Sequence, residues 1–348
     1  MAPAAPAAPA AGPKLTWGGL VDAYYMYLLN KGSAVNSLVG TVAPRQFDTN
    51  TNSATLALSQ LTVNASMDPV AFQLDLGYGA DGTIINNAFA GASAPSAPVP
   101  GSFIVLQAYG TITVLPQLTL DFGKFYTTAG AEVVPANKNW LYSRSILFFS
   151  IPLLHTGARA NFKVNDMVSL QASLVNGWND DPDVNAWKTV GLSATITASP
   201  MVSIVATTYF GKEAPQAATD ASTPGDMRLL VDLVAALTLS DKLGVNVNFD
   251  YVRAPDNVGD DYVVGVAGMA RYVISDHLNV AARGEWVRLH TAVNQDIMEG
   301  TAMLGIDVGK NFELRPEFRI DHNFQDTPFA NNGKTDQITG TLAALAWF

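Results

Sequence analysis

Residues 312–321 read FELRPEFRID, and their strict alternation decides how the chain folds. The even-numbered residues of this stretch are apolar and the odd-numbered residues are charged. A period of two is that of an extended strand, because successive side chains of a strand point to opposite faces, whereas a helix would spread the pattern around its circumference. One face of the strand is therefore ionic and the other apolar. The stretch alone fits either a half-buried strand of a soluble sheet or a strand set in a membrane.

The amino-acid composition is that of a chain with little charged surface. Of the 348 residues, 48% are hydrophobic and only 14% are charged, against roughly 25% charged residues in soluble proteins. No unbroken apolar run approaches the ~20 residues that a membrane helix requires. The formal net charge of −10, without clusters of Lys and Arg, argues against a nucleic-acid partner. Because the chain has no cysteine, a disulfide framework and a thiol nucleophile are excluded.

Alternating segments of roughly ten residues recur from Leu15 onward, and this is the length of a tilted membrane strand. We count sixteen of them, at 15–27, 53–64, 70–79, 103–114, 118–126, 156–164, 168–175, 187–198, 201–210, 227–239, 243–252, 262–273, 278–288, 301–308, 312–321 and 337–348. Short turn-forming connections, such as 66–69, alternate with long ones, such as 80–102. Bacterial outer-membrane barrels sort their connections in this way, with tight periplasmic turns and long extracellular loops, whereas a soluble sandwich has no reason to. The sequence therefore predicts an all-β fold, a transmembrane antiparallel barrel of about 16 strands that forms one domain over residues 14–348.

The polar faces of the predicted strands indicate what the barrel encloses. Charged side chains in a dry core would cost several kcal/mol each, so these faces must meet water and the apolar faces must meet lipid. The ionic face of 312–321 is thus predicted to line an aqueous lumen. The residues that we expect on the lumen wall are Arg159, Lys163, Arg283, Glu285, Glu313, Arg315, Glu317, Arg319 and Asp321.

The longest connection, residues 127–155, is the third extracellular one. Its aromatic and aliphatic residues suit burial inside a tube better than a solvated tip. The chain also resembles sixteen-stranded general porins in strand number and loop order, and this resemblance implies that the loop folds inward. We expect it to fold into the lumen, with Glu132, Lys138 and Arg144 as constriction charges. The alternative is a loop folded over the barrel mouth or against a neighbouring protomer.

The two ends of the chain carry separate signals. Residues 1–13 are rich in Ala and Pro and lack the basic and apolar regions of a signal peptide, so we expect an extended periplasmic arm on an exported, mature form. The chain ends on Phe348 within its last alternating segment. A terminal aromatic residue is similar to the assembly signal that the barrel assembly machinery reads.

Motifs for catalysis or cofactor binding are weak. The stretch GYGADG (77–82) satisfies the dinucleotide-binding pattern, but we do not expect the following residues to form the helix that such a site needs. The four histidines lack metal-ligand spacing, and no nucleophile lies beside a base and an orienting acid. We therefore predict no enzyme activity, no catalytic residue, no metal site and no cofactor.

Four short motifs resemble a known family. They are FGKFYTTAGAE (122–132), YSRS (142–145), HTGARANFKVND (155–166) and VNGWND (175–180). Together they are similar to the OmpL-like β-barrel porin-2 family. The resemblance implies a channel in the outer membrane of a Gram-negative bacterium, and it implies no catalytic residue, substrate or oligomeric state.

The function predicted from the sequence is passive diffusion of ions and small hydrophilic solutes, because a wet, charge-lined lumen lowers the Born cost of crossing a membrane. Expected partners are outer-membrane lipid and lipopolysaccharide, the barrel assembly machinery during biogenesis and, by analogy with general porins, two further copies in a homotrimer. A barrel with a plugged lumen that serves as a scaffold, adhesin or docking protein is the main alternative. A soluble β-sandwich is the third.

Overall fold

Sixteen strands follow one another along the chain in the computed structural model, which describes residues 12–30, 35, 45–89, 100–183, 185–213, 225–253, 261–290, 294–325 and 334–348. The strands are β1 Lys14–Leu28, β2 Ser53–Met67, β3 Val70–Gly79, β4 Ser102–Leu115, β5 Leu118–Tyr126, β6 Leu154–Lys163, β7 Val168–Val175, β8 Thr189–Ser199, β9 Val202–Glu213, β10 Asp226–Thr238, β11 Leu243–Arg253, β12 Tyr262–Ser275, β13 Leu278–His290, β14 Gln295–Asp307, β15 Phe312–Asn323 and β16 Asp336–Trp347. Each strand pairs antiparallel with its sequence neighbours, and β1 pairs with β16 to close the barrel. The predicted fold class is confirmed. Residues 1–11 of the predicted arm lie outside the described residues.

Strand β14 begins earlier than the sequence indicated, at Gln295 rather than at 301. Two acidic residues lie in the added part of the strand, and both find a cationic partner on the neighbouring strand β13. Asp296 pairs with Arg288 at 2.8 Å, and Glu299 pairs with Arg283 at 2.9 Å. Because both charges are satisfied, the ladder continues through them.

The faces of β15 show how the alternation is used. Phe318 and Ile320 are 48% and 37% exposed on the outer surface of the barrel. The five charged side chains from Glu313 to Asp321 point inward and are between 0 and 5% exposed. The apolar face is therefore outward, as the alternation predicted.

Helix α1, Ala80–Phe89, corrects the expectation that no helix follows GYGADG. The helix is held by packing, because Ile84 and Ile85 are buried in an apolar cluster with Leu58 and Ile104. This burial outweighs the weak helix propensity of its Gly, Thr and Asn residues. Within the described residues, no helix is long and apolar enough to cross a membrane.

The glycines of GYGADG are explained by close packing. Gly79 has a φ of +148°, and a Cβ there would lie 2.2 Å from the Ala57 carbonyl oxygen. A Cβ on Gly82 would lie 2.4 Å from the Ser102 carbonyl oxygen. The motif thus allows α1 to lie against β2 and β4, and its glycines do not require a phosphate ligand to explain them.

Candidate functional site

The segment of residues 127–153, which connects β5 to β6, is bonded to strands on several sides of the barrel. Near its start, the Thr128 and Tyr209 hydroxyls are 3.1 Å apart, and the Ala131 amide donates to Asn248 at 3.2 Å. Further along, the Tyr142 hydroxyl donates to Asp22 at 3.0 Å. These partners belong to β9, β11 and β1 respectively.

Two buried glutamates on the wall each accept hydrogen bonds from consecutive backbone amides of the segment. Glu317 on β15 accepts from Tyr142 and Ser143, at 2.7 and 3.1 Å. Glu285 on β13 accepts from residues 146 and 147, both at 2.8 Å. Because four backbone amides bond to these two buried side chains, Glu285 and Glu317 fix the position of the segment.

Three arginines on the same part of the wall each donate to a backbone carbonyl of the segment. Arg283 donates to the carbonyl of Ser143 at 2.8 Å, Arg315 to that of Ala136 at 2.8 Å, and Arg319 to that of residue 144 at 2.6 Å. A guanidinium has five N–H groups in a fixed plane, so it can bind a carbonyl and a carboxylate together.

Each of these arginines also has a carboxylate partner. Arg283 pairs with Glu132 and Glu299, both at 2.9 Å. The guanidinium of Arg315 lies 2.8 Å from Glu313, and that of Arg319 lies 2.7 Å from Asp321. We call these three arginines and their carboxylate partners Glu132, Glu299, Glu313 and Asp321 the buried network.

Burial separates most of the predicted wall charges from water. The sequence placed the seven wall charges of β13 and β15 along an aqueous lumen, and in the structure their side chains point inward but are at most 5% exposed. The physical reason is that residues 127–153 lie over them. Arg283, Glu285, Arg315, Glu317 and Arg319 bond to the segment, and Glu313 and Asp321 pair with Arg315 and Arg319. The structure thus brings the seven residues together, five of them as anchors of the segment.

The other two predicted wall residues lie elsewhere. Arg159 on β6 is half-buried, donates to Asp121 at 2.6 Å and lies 4.3 Å above the Phe125 ring. The Lys163 side chain is 58% exposed at the end of β6 and pairs with Asp166 of the following turn at 2.6 Å. Neither residue contacts the buried network.

The three predicted constriction charges have different environments. Glu132 is 5% exposed and paired with Arg283. Arg144 is 3% exposed and donates to the carbonyl of Tyr142 at 2.6 Å and also to that of Val134. Lys138, in the 3₁₀ turn Ala136–Lys138, is exposed and makes no ion pair with any residue that the structure describes.

Burial also changes the acidity of a side chain in the segment. Desolvation and the nearby carboxylates of Asp22 and Asp81 raise the pKa of the Tyr142 hydroxyl well above its usual range. The hydroxyl therefore stays protonated and remains a donor to Asp22 at neutral pH.

A second group of inward side chains lies on the strands that the buried network leaves uncovered. The Tyr109 hydroxyl donates to Gln73 at 3.1 Å, and Asn161 receives a hydrogen bond from Gln171 at 2.7 Å and donates to Asp121 at 3.0 Å. We call this group the polar belt; its members are Gln73, Tyr109, Thr111, Asp121, Arg159, Asn161 and Gln171. All members except Asp121 are half-buried.

Sequence reasoning singled out only Arg159 of the belt as a site residue. The others follow the same two-residue alternation along β3 to β7, so the signal was present in the sequence. Most of the belt consists of amides and hydroxyls, and these indicate a water-filled lumen less clearly than charged side chains do, because they are also common in dry interiors when hydrogen-bonded.

Comparisons with known proteins agree with the architecture. A family model described as "Putative beta-barrel porin-2, OmpL-like" matches residues 14–348. No curated protein matches the sequence. Among solved structures, OmpT of Vibrio cholerae in its trimer form is similar over 97% of this chain and 100% of its own, with a TM-score of 0.65 and 12% identity. The anion-selective porin from Comamonas acidovorans is similar over 97% of this chain and 100% of its own, with a TM-score of 0.64 and 10% identity. The outer membrane channel DcaP of Acinetobacter baumannii is similar over 97% of this chain and 98% of its own, with a TM-score of 0.61 and 16% identity.

Proposed function

The chain belongs to the OmpL-like β-barrel porin-2 family, and from this premise we propose that it carries ions and small hydrophilic solutes by passive diffusion along the polar belt. The family and the closed barrel make it a porin-type channel of the Gram-negative outer membrane. They point to a channel rather than to an enzyme. The solute, the ion preference and the course of the path are our proposal.

One observation carries this proposal: the segment of residues 127–153 is bound to one part of the wall, while the polar belt on another part stays half-buried. A path between the belt and residues 130–140 of the segment would be lined by amides and hydroxyls. Such groups replace hydration water by hydrogen bonds without holding a solute tightly, which is what passive transport requires.

We propose that Lys138 gives the path a modest preference for anions. The arginines of the buried network are each paired with a carboxylate and are covered by the segment, and Arg159 of the belt is paired with Asp121 at 2.6 Å. Lys138 is exposed on the segment, so its field reaches a passing ion. The net charge of −10 would then have little influence on selectivity, because acidic residues far from the path are screened by salt.

A scaffold or docking protein with a plugged lumen is the second candidate. The observation that favours it is the anchoring of the segment by two glutamates and three arginines of the wall. These anchors would hold a plug in place as well as they hold a constriction.

The proposal extends to assembly and partners. We propose that the barrel associates as a homotrimer, that its outward apolar surface contacts lipid and lipopolysaccharide, and that Phe348 is read by the barrel assembly machinery. The Ala/Pro-rich residues 1–13 would form a periplasmic arm. Cross-linking of the membrane-embedded protein tests the trimer, and deletion of Phe348 tests the assembly signal through the yield of folded barrel.

Single-channel recording of the refolded protein in a planar bilayer under a KCl gradient tests the main proposal. Long-lived conductance steps, with a reversal potential on the anion side, are expected. A folded, detergent-stable barrel that passes no current would contradict the porin proposal and favour the plugged scaffold.

A further inference from the structure

A cavity of about 230 Å³ lies between the 3₁₀ turn Ala136–Lys138 and the wall formed by β1, β2 and β16. It is smaller than the roughly 300–1,000 Å³ of pockets for drug-sized ligands, so only a small solute fits. Lys138 lines it and is itself exposed. The cavity and the proposed path therefore share one side chain.

Two side-chain amides in this cavity have unused hydrogen-bonding capacity. The Oε1 of Gln60 and the Oδ1 of Asn137 are buried and accept no hydrogen bond from any described residue. The Nε2 of Gln60 donates to the Thr62 hydroxyl at 3.0 Å, so only one end of this amide is satisfied. A buried acceptor without a donor is unfavourable, and a ligand donor that reaches the amide after the side chain rotates removes this penalty.

The chemistry of the missing partner follows from that of the amides. An amide offers an acceptor at one end and donors at the other, and a half-turn of its plane exchanges them. A hydroxyl group both donates and accepts, so it completes either orientation. A solute with several hydroxyls is therefore the best match for Gln60 and Asn137.

The remaining lining of the cavity adds a charge and an apolar surface. Lys138 supplies an ammonium group that makes no ion pair with a described residue, and an ammonium is a strong donor to a carboxylate. Trp347 and Pro135 supply apolar surface on which the C–H face of a sugar-like chain can pack. Aromatic, amide and cationic groups thus meet in one small volume.

We propose that this cavity is a binding subsite on the permeation path for a small polyhydroxylated carboxylate, of the sugar-acid class. The proposal rests on the proposed porin function and names a solute class for it. The carboxylate binds Lys138, and the hydroxyls bind Gln60, Asn137 and Thr62.

The test measures how far three solutes block the KCl current of the full-length channel: D-gluconate, D-glucose and acetate at equal concentration. D-gluconate carries both the charge and the hydroxyls, so its block is expected to exceed that of the other two at least threefold. Equal block by gluconate and acetate would show that the amides of Gln60 and Asn137 do not bind the solute. Equal block by gluconate and glucose would show that Lys138 does not bind it.

Variants separate the two kinds of contact. Lys138→Gln is expected to reduce the gluconate block to the level of glucose, and the double variant Gln60→Ala, Asn137→Ala to the level of acetate. Lys163→Gln, at the exposed end of β6, and Gln117→Ala, on the exposed turn between β4 and β5, are matched controls that should keep the block of the unmodified protein. A Lys138→Gln channel that retains the full gluconate block overturns the subsite.

Binding can also be read without transport, which keeps this inference distinct from the porin function. Gluconate added to the detergent-solubilised barrel should change its tryptophan fluorescence, and the change should be absent from the Trp347→Phe variant. An open KCl channel with neither block nor fluorescence change refutes the subsite and leaves the porin function intact. A silent channel with the fluorescence change refutes the porin function instead.

Discussion

Lys138→Glu is the substitution that most directly tests which charges an ion meets in this barrel. Lys138 is exposed and unpaired among the described residues, so the change should be tolerated by the fold. An ion that passes about 6 Å from this position interacts with a unit charge by roughly 0.7 kcal/mol in bulk water. Screening at about 0.1 M salt, where the Debye length is about 10 Å, reduces this to roughly 0.4 kcal/mol.

The expected change in selectivity follows from these numbers. Reversing the charge alters the energy of an anion and that of a cation by about 0.8 kcal/mol each, in opposite directions, so their difference changes by about 1.5 kcal/mol. This is roughly a tenfold change in the permeability ratio of K⁺ to Cl⁻. Lys138→Gln should give about a threefold change, because it removes one charge instead of reversing it.

The assay is the reversal potential of the refolded channel across a planar bilayer with a KCl gradient, at low and at high salt. The shift should shrink at high salt, since the Debye length is about 3 Å at 1 M. Lys163→Glu makes the same charge change at the exposed end of β6 and should have a much smaller effect. An unchanged ratio in Lys138→Glu, or an equal shift in Lys163→Glu, would show that ions do not pass beside residues 130–140.

Three further predictions concern stability. Glu317→Gln keeps the shape of the side chain but removes a carboxylate acceptor from the amides of residues 142 and 143. We therefore expect the folded barrel to be destabilised by about 1.5–3 kcal/mol and the open-channel current to be noisier. A melting curve and a current noise equal to those of the unmodified protein would contradict this. Ile85→Ala leaves a cavity under α1, where Ile85 is fully buried. The free energy of unfolding should fall by about 2–5 kcal/mol. Thermal unfolding followed by gel mobility measures this loss, and Ile320→Ala, at an exposed position, is the control. Burial and the neighbouring Glu213 and Asp183 raise the pKa of Asp180 to about 7. Below about pH 3.9, Asp180 is protonated in both the folded and the unfolded protein. Between about pH 3.9 and pH 7 only the unfolded form ionises, so the free energy of unfolding declines as the pH rises. Asp180→Asn should remove that decline from melting temperatures measured at about pH 4 to 8.

The strands could be predicted from the sequence because lipid on one side and polar groups on the other impose a period of two. Fifteen of the predicted spans begin within two residues of the observed strands, and β14 is the exception. Helix α1 could not be predicted in this way, because it depends on Ile84 and Ile85 packing against residues from other strands. Local propensity contains no information about such contacts.

The wall charges show a second limit of sequence reasoning. Alternation places Arg315 and Arg319 on the inner face, and that placement agrees with the structure. Whether an inward charge meets water depends on residues 127–153, which lie more than 150 positions away along the chain. A one-dimensional pattern cannot state that these arginines donate to the carbonyls of residues 136 and 144.

The charged side chains of the buried network hold residues 127–153 in one position more strictly than apolar side chains would. An apolar contact would position the segment only loosely, because hydrophobic attraction has no preferred direction. Arg283, with partners in Glu132, Glu299 and the Ser143 carbonyl, is directional and satisfied in one arrangement. Removing one partner leaves a buried charge uncompensated, whereas replacing a whole group of charges by apolar residues is often neutral for stability. A channel in which Glu132, Arg283 and Glu299 are all replaced by Leu should therefore remain folded but show a less sharply defined conductance level, since the segment loses its bonds to Arg283. A level as sharp as that of the unmodified protein would mean that the bonds to Glu285, Glu317, Arg315 and Arg319 position the segment without this group.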